Sequence, residues 1–147
     1  MNKFKISQIQ FQAKPSPQEN ADLLENFFIK AQKYKPDLIC TPECSNIITN
    51  DRKYLFSYAT YQKDCPVINM AKIFAKKNKV NINLGSLLLK IKHSKKLVNR
   101  SILINSGGRI QSKYDKIHLF DVNINSKESH KESICHPQHL HALSEGP

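Results

Sequence analysis

The sequence predicts an α/β protein in which a mixed β-sheet is covered by helices on one face. The first part of the chain has a strand pattern, then a helix pattern and a second strand pattern. A further helix pattern follows, and several short strand patterns then come in succession with only turns between them. Such a run of adjacent strands favours a hairpin region within the sheet.

The first helix has a specific start signal. Polar and apolar residues alternate from Lys3 to Phe11, as in a strand, and a turn follows. Ser16-Pro17-Gln18-Glu19 then has the form of a capping box, with a serine to accept an amide hydrogen bond and a glutamate to reach back. We expect a helix that begins there and ends before Pro36. Its predicted apolar face contains Ala21, Leu23, Leu24, Phe27, Phe28 and Ala31.

The next apolar segment leads directly to an acidic residue. Asp37–Thr41 is predicted to be a strand. Pro42 should end this strand, because proline has no N–H for the sheet ladder. Glu43 is then placed at the rim of the sheet, where side chains can converge on a pocket.

The central part of the chain contains one ambiguous segment and one clear helix. Between residues 46 and 62, three tyrosines and Leu55 could form a helical face, but Asn50-Asp51 interrupts its start. Pro66–Lys77 is predicted to be a helix with Asn78 as its C-cap. The apolar side of this helix is predicted to contain Val67, Met70, Ile73 and Phe74.

The second half of the chain is predicted to be mostly strand. Two strand segments, Val80–Leu84 and Leu87–Ile91, lie on either side of Gly85-Ser86, which indicates a kink or a bulge. Arg100–Asn105 is a further strand, and a glycine loop leads from it into Arg109–Gln111. The sequence contains no internal repeat and no internal domain boundary in this region.

Composition limits the classes of function. The 147 residues suit one average domain. No apolar run approaches the roughly 18 residues of a membrane span, and the N-terminus lacks the apolar core of a signal peptide, so we expect a cytoplasmic protein without a membrane partner. A net charge of +11, from 23 basic and 12 acidic residues, raises nucleic-acid binding as a third hypothesis. The lysines are spread out and not interleaved with aromatic residues, so nucleic acid is not the expected partner.

Several short motifs occur in an order and spacing typical of one enzyme family. They are Pro42-Glu43, Gly85-Ser86, Asn99-Arg100-Ser101, Tyr114-Asp115-Lys116-Ile117-His118-Leu119-Phe120-Asp121 and Lys131-Glu132-Ser133. With these motifs the chain resembles the N-terminal part of a carbon-nitrogen hydrolase of the nitrilase superfamily, in its omega-amidase-like branch. The resemblance implies an α-β-β-α sandwich that is C-terminally truncated here. Residues 1–133 would form a partial carbon-nitrogen hydrolase domain, and residues 134–147 a disordered tail outside the family pattern.

The resemblance implies a Glu-Lys-Cys site that hydrolyses small linear amides through a thioester, without a metal or organic cofactor. Glu43 would be the general base, Lys116 would stabilise the oxyanion, and Glu132 would orient the lysine and the substrate. These roles agree with physical chemistry, because a carboxylate that takes the proton of a thiol raises the fraction of that thiol present as the reactive thiolate. A cation beside the substrate oxygen contributes about 3 kcal/mol in a dry site. His118 is expected to be a packing or hydrogen-bonding neighbour, and a homo-oligomer is a further implication.

None of the four cysteines fits the nucleophile of the family. The resemblance places that cysteine on a sharp turn after a buried strand, whereas Cys135 follows Glu132 by only three residues. Cys40 is expected to be a small buried hydrophobe, and Cys44 an incidental neighbour of Glu43. A zinc site is the alternative for the tail, with a spacing looser than structural zinc usually has. Its candidate ligands are Cys135, His136, His139 and His141.

We therefore expect a chain that resembles an amidase cut short between its second glutamate and its nucleophile, and that is inactive alone. The alternative is a non-catalytic truncated or pseudoenzyme fragment that acts as an assembly or basic binding module. An amide-hydrolysis assay with the Cys135→Ser variant distinguishes the two hypotheses.

Overall fold

The helices and strands of the chain follow the predicted order. The computed structural model describes residues 3–117, 121–125, 128–131 and 143–144. The helices in these residues are α1 (Pro17–Gln32), α2 (Arg52–Tyr58), α3 (Pro66–Asn78) and a short 3-10 helix (Gln62–Asp64). The strands are β1 (Ile6–Gln8), β2 (Leu38–Cys40), β3 (Thr60–Tyr61), β4 (Asn81–Lys90), β5 (Leu97–Ile104), β6 (Ile110–Asp115), β7 (Asp121–Asn125), β8 (Glu128–Lys131) and β9 (Leu143–Ser144).

The main sheet is mixed, as predicted. Its strand order is β1-β2-β4-β5-β6-β9, and β3 pairs with the second half of β4. β1, β2 and β4 run parallel, whereas β4, β5, β6 and β9 pair antiparallel. β7 and β8 form a separate two-stranded sheet.

One short strand comes from the segment predicted to be a disordered tail. β9 lies within residues 134–147 and pairs with Ser112 and Lys113 of β6. The open edge of β6 presents backbone groups with which such a strand can pair. The disorder predicted for residues 134–147 stays a prediction. The other residues of this segment lie outside the described residues, and the boundary after residue 133 stays a prediction.

The largest apolar core lies between the sheet and helices α1 and α3. Leu24 and Phe28 of α1 are fully buried, and the ring of Phe28 meets that of Phe74 edge to face at 5.3 Å between centroids. Full burial of such a side chain stabilises a fold by about 1.5–3 kcal/mol. The sheet contributes Ile39, Ile82, Leu84, Leu87, Leu89, Val98, Ile102 and Ile104 to this core.

A smaller apolar cluster lies on the opposite face of the sheet. Along β4, Leu87 and Leu89 point towards α1 and α3, so Leu88 between them points the other way. Leu55 of α2 packs in this cluster. Its members are Ile47, Leu55, Ala59, Leu88 and Leu97.

The first two helices begin with the same capping chemistry. Ser16 Oγ accepts a hydrogen bond from the backbone N–H of Glu19 at 3.3 Å, which confirms the predicted start of α1. Asp51 accepts one from the N–H of Tyr54 at 3.0 Å. The pair Asn50-Asp51 therefore starts α2 and does not interrupt it. None of the helices within the described ranges is long and apolar enough to cross a membrane.

The end of α3 and its buried side differ in detail from the prediction. The C-cap of the helix is Lys79, which has a φ of 56° and lies one residue beyond the predicted cap. Asn78 donates its side-chain N–H to the carbonyl of Phe74 instead. Ile73 is 69% exposed. The buried residues of α3 are Val67, Ile68, Ala71, Phe74 and Ala75.

Candidate active site

Glu43 lies in a turn that follows β2, and hydrogen bonds fix this turn to β4. Ser45 Oγ donates to the carbonyl oxygen of Pro42 at 2.5 Å. Ser86 of β4 binds the next part of the turn, because its Oγ accepts from the N–H of Cys44 and its carbonyl from the N–H of Ser45, both at 3.0 Å. Glu43 is therefore held at the rim of the sheet, where the proline was predicted to place it.

The predicted kink in β4 is a bulge that admits the backbone of this turn. The register between β4 and β5 shifts between Leu84 and Leu87. A Cβ atom on Gly85 would collide with the carbonyl oxygen of Thr41 and lie only 2.8 Å from that of Pro42. Glycine is required here because the backbone of the turn comes so close.

Two buried asparagines tie the turn into the protein. Asn46 donates to the carbonyl of Leu88 and accepts from its N–H, each at 2.8 Å. Asn20 of α1 donates to the carbonyl of Asn46 at 2.9 Å and pairs with both backbone groups of Lys14. Buried amides that use their polar groups in this way stabilise one geometry, because breaking a bond leaves an unsatisfied group.

Lys116 is placed by the pairing of β5 and β6. Its backbone N–H donates to the carbonyl of Asn99 at 2.9 Å, which continues the pairing one residue beyond β6. Arg100 donates from Nε and Nη2 to the two oxygens of Asp115 at 2.6 and 2.7 Å, and from Nη1 to Gln62 at 2.8 Å. This bidentate ion pair holds the end of the hairpin in register beside Lys116.

Glu43, Asn99 and Lys116 meet at one carboxylate oxygen. Asn99 Nδ2 donates to Glu43 Oε1 at 2.9 Å, and Lys116 Nζ donates to the same oxygen at 3.2 Å. The side chains of Glu43 and Lys116 are 55% and 32% exposed. An ion pair at such exposure contributes about 0.2–1 kcal/mol, so stability alone does not account for this convergence.

The three residues line a cavity of about 470 Å³. It lies on the face of the sheet away from α1 and α3, because Asn99 and Ser101 alternate along β5 with the core residues Val98 and Ile102. A cavity of this size suits a small molecule. Its lining residues are Glu43, Gly85, Ser86, Asn99, Ser101, Tyr114 and Lys116.

Within the described part of the chain, no cysteine lines this cavity. Burial raises the pKa of the Cys65 thiol above its ordinary value of 9.0. Burial also raises the pKa of Cys40 above 9.0, and a hydrogen bond with Asn83 opposes that shift in part. Neither thiol is therefore activated as a nucleophile needs to be. Cys44 packs against the smaller apolar cluster.

Part of the predicted site lies outside the described residues. This applies to Glu132, Cys135 and His118, and to the histidines of the zinc alternative. The role of Glu132 therefore stays a prediction. Among the residues that the structure does describe, no group of three or more His, Cys, Asp and Glu side chains could hold a metal ion.

Asn99 and Tyr114 line the cavity, although neither had a role assigned from the sequence. Asn99 belongs to one of the motifs and is only 3% exposed. The predicted strand began only at Arg100, whereas β5 begins at Leu97, and the available signal was an amide next to the apolar Leu97 and Val98. Tyr114 also lies in a motif, but nothing in its spacing indicated that its ring would line the cavity.

The family model described as "Carbon-nitrogen hydrolase" matches residues 5–146. The chain therefore belongs to the carbon-nitrogen hydrolase family, which confirms the resemblance seen in the motifs.

Several curated relatives are named as amidases. A deaminated glutathione amidase from Dictyostelium discoideum is 32% identical over 133 residues, which cover 86% of this chain and 46% of the relative. The omega-amidase NIT3 from Saccharomyces cerevisiae is 29% identical over 136 residues, which cover 89% of this chain and 47% of the relative. The chain thus spans less than half the length of each of these two relatives.

Solved structures show the same fold. The Caenorhabditis elegans NitFhit protein superposes with a TM-score of 0.77 at 23% identity, over 92% of this chain and 33% of the other. Saccharomyces cerevisiae Nit3, a member of branch 10 of the nitrilase superfamily, superposes with a TM-score of 0.74 at 21% identity, over 93% and 49%. The nitrilase-like α/β fold predicted for the chain is confirmed.

Proposed function

We propose that this chain carries the acid and the cation of a site that hydrolyses the carbon–nitrogen bond of small linear amides. The observation that carries the proposal is the meeting of Lys116 Nζ and Glu43 Oε1 at 3.2 Å, in the wall of a cavity of about 470 Å³. The names of the curated relatives support an amide as the substrate. We further propose a cytoplasmic setting and pairing with a second copy of the chain.

The chemistry needs a thiol, a carboxylate and a cation, and no metal or organic cofactor. Glu43 takes the thiol proton, and the sulfur forms a bond with the amide carbon while the carbonyl electrons move to oxygen. Lys116 stabilises that oxyanion. The C–N bond then breaks and ammonia leaves with the proton from Glu43, so a thioester remains. Water, deprotonated by Glu43, displaces the sulfur and gives the carboxylic acid and the free thiol.

Glu132 is proposed to orient Lys116 and the substrate. A carboxylate beside the ammonium group would favour its charged form, which is the form that stabilises an oxyanion. This role follows from the family motif around Glu132, and not from any contact of the described residues.

The thiol is the part of the site for which the chain offers the weakest candidate. None of the described cysteines lines the cavity, and Cys135 follows Glu132 too closely for a strand to lie between them. We therefore propose that the chain alone does not turn over amides. The alternative is a fragment without catalytic function that acts as an assembly or basic binding module, and the same observation favours it.

Turnover is tested by ammonia release from a panel of small linear amides, with the full chain and its Cys135→Ser variant. We expect no release from either protein. Release that disappears in Cys135→Ser would overturn the proposed inactivity and identify the nucleophile. Release that persists in this variant would show that another group attacks the amide.

The cation is tested separately from turnover, by binding. Propionamide added to the ¹⁵N-labelled chain should shift the signals of Asn99 and Lys116, and the Asn99 shifts should vanish in Lys116→Met. Two matched controls are 1-propanol, which has no amide, and Lys77→Met on the exposed side of α3. Equal shifts in Lys116→Met and Lys77→Met would refute an amide site at this cavity.

A further inference from the structure

We infer that Asn99 is a positioning residue whose side-chain amide anchors one oxygen of Glu43 and leaves the other oxygen to move the proton. This inference rests on the proposed amide hydrolysis. Both donors, Asn99 Nδ2 and Lys116 Nζ, bind Glu43 Oε1. No hydrogen bond among the described residues falls on Oε2. The two oxygens of Glu43 therefore have different roles: Oε1 holds the side chain in place, and Oε2 transfers the proton.

Asn99 holds the acid and the cation at the same time. Its side chain donates to Glu43 at 2.9 Å, and its backbone carbonyl accepts from the N–H of Lys116, also at 2.9 Å. Asn99 thus contributes to the relative position of base and cation, through its side chain on Glu43 and its backbone on Lys116.

The polar groups of Asn99 are not there for packing. The residue is 3% exposed, and its Oδ1 is buried without a hydrogen-bond partner in the described part of the chain. Such an unpaired oxygen costs free energy, and an apolar side chain of the same shape would avoid that cost. The reverse orientation of the amide would set Oδ1 against the carboxylate of Glu43. Contact with Glu43 is therefore what an asparagine supplies at this position.

The consequence for the reaction is an assignment of atoms. Oε2 of Glu43 takes the thiol proton as the sulfur–carbon bond forms, and it returns this proton to the nitrogen as the C–N bond breaks. Oε1 keeps its two donors throughout. Because a base must lie within hydrogen-bond reach of the proton it moves, an anchored Oε1 limits where Oε2 can go.

The test measures the contact directly by NMR on the full ¹³C,¹⁵N-labelled chain. In Glu43→Gln the hydrogen-bond acceptor loses its charge, so the side-chain N–H₂ signals of Asn99 should shift. The shift should be severalfold larger than in the control Glu25→Gln, which changes an exposed residue of α1. Both substitutions are at exposed sites, so the core stays intact. Asn99 signals that respond equally to the two variants would overturn the inference.

A second pair of variants separates positioning from structure. Asn99→Leu should leave the urea midpoint unchanged or raised, because it removes an unpaired oxygen, yet it should shift the Glu43 side-chain ¹³C signal. Asn46→Leu should lower the midpoint, because both polar groups of Asn46 are bonded to Leu88. A midpoint that falls equally in both variants, with the Glu43 signal unmoved, would assign Asn99 a structural role and refute the inference.

These outcomes are independent of the proposed function. If the Asn99 and Glu43 signals respond as expected but propionamide does not bind, the anchoring stands and amide hydrolysis fails. If propionamide binds through Lys116 but the Asn99 signals do not change in Glu43→Gln, the proposed amide hydrolysis stands and the positioning role of Asn99 is refuted.

Discussion

The two faces of the main sheet are built from alternate residues of the same strands and differ in function. One forms the large apolar core, and the other carries the cavity. Towards α1 and α3, β5 presents Val98 and Ile102, which are buried in the large core. Towards the cavity it presents Asn99 and Ser101. The helix-covered face thus holds the large apolar core, whereas the other face carries the polar side chains of the cavity beside the smaller apolar cluster.

The difference shows that stability and the site are largely separate in this protein. The helix-covered face excludes water from many apolar groups, which is the dominant favourable contribution to folding. On the cavity face, the partially exposed pair Glu43–Lys116 adds little stability. Changes to the first face should therefore lower the free energy of unfolding most, whereas changes to the polar side chains of the cavity should alter binding and leave the fold intact.

The largest expected effect lies in the helix-covered core. Phe28→Ala removes a fully buried ring that packs on Phe74, and we expect a loss of about 3–5 kcal/mol in the free energy of unfolding. Urea unfolding measures it. The control is Tyr34→Ala, a 72% exposed aromatic residue, which should change stability by less than about 0.5 kcal/mol. Similar losses of stability in Phe28→Ala and Tyr34→Ala would contradict the assignment of the main stabilising core to the helix-covered face.

The next effect lies where the cavity face meets the backbone. Gly85→Ala forces a Cβ against the carbonyl oxygen of Thr41, and the turn must move. We expect a loss of about 1–3 kcal/mol, together with a shift of the Asn99 side-chain signals as Glu43 is displaced. The control is Gly107→Ala, whose Cβ would approach only the Asn105 side chain, at 3.1 Å. Unchanged Asn99 signals in Gly85→Ala would show that the bulge does not position Glu43.

Features of the fold that depend on neighbouring residues could be predicted from the sequence. The start of α1 depends on Ser16 and Glu19, three positions apart, and it was predicted correctly. Asp51 uses the same chemistry, yet its segment stayed ambiguous because α2 is short and only Leu55 in it is buried. The exposure of Ile73 was missed, because the helical pattern does not say which of two adjacent faces meets the sheet.

Features of the site that depend on distant residues needed the fold. Glu43 and Lys116 were named from motifs, and those motifs do not show that the two side chains touch. Their contact depends on the register of β5 with β6 and on the bulge at Gly85. The role of Asn99 was harder to predict. Its partner Glu43 lies 56 positions away in the sequence, and a polar residue in a strand can have many different roles.

A smaller effect sharpens the comparison through pH. Burial raises the pKa of Cys65 in the core above 9.0, so its contribution to stability is complete below the ordinary pKa and is lost as the pH rises through the folded value. One such group changes stability by at most about 1.4 kcal/mol per pH unit. Urea unfolding at pH 7 and pH 10 should show a larger loss for the wild type than for Cys65→Ala. Equal losses would mean that the thiol ionises as freely as in the unfolded chain.

The smallest effect on stability comes from the cavity itself. Lys116→Met removes the ion pair with Glu43, and at 32% and 55% exposure we expect a loss of only about 0.2–1 kcal/mol, close to that of Lys77→Met on α3. Binding of propionamide should nevertheless be lost in Lys116→Met alone. A loss of several kcal/mol would mean that the pair is part of the structural core, and the two faces of the sheet would then not differ as described. A small loss of stability together with loss of propionamide binding would mean that Lys116 serves ligand binding in the cavity and not the stability of the fold.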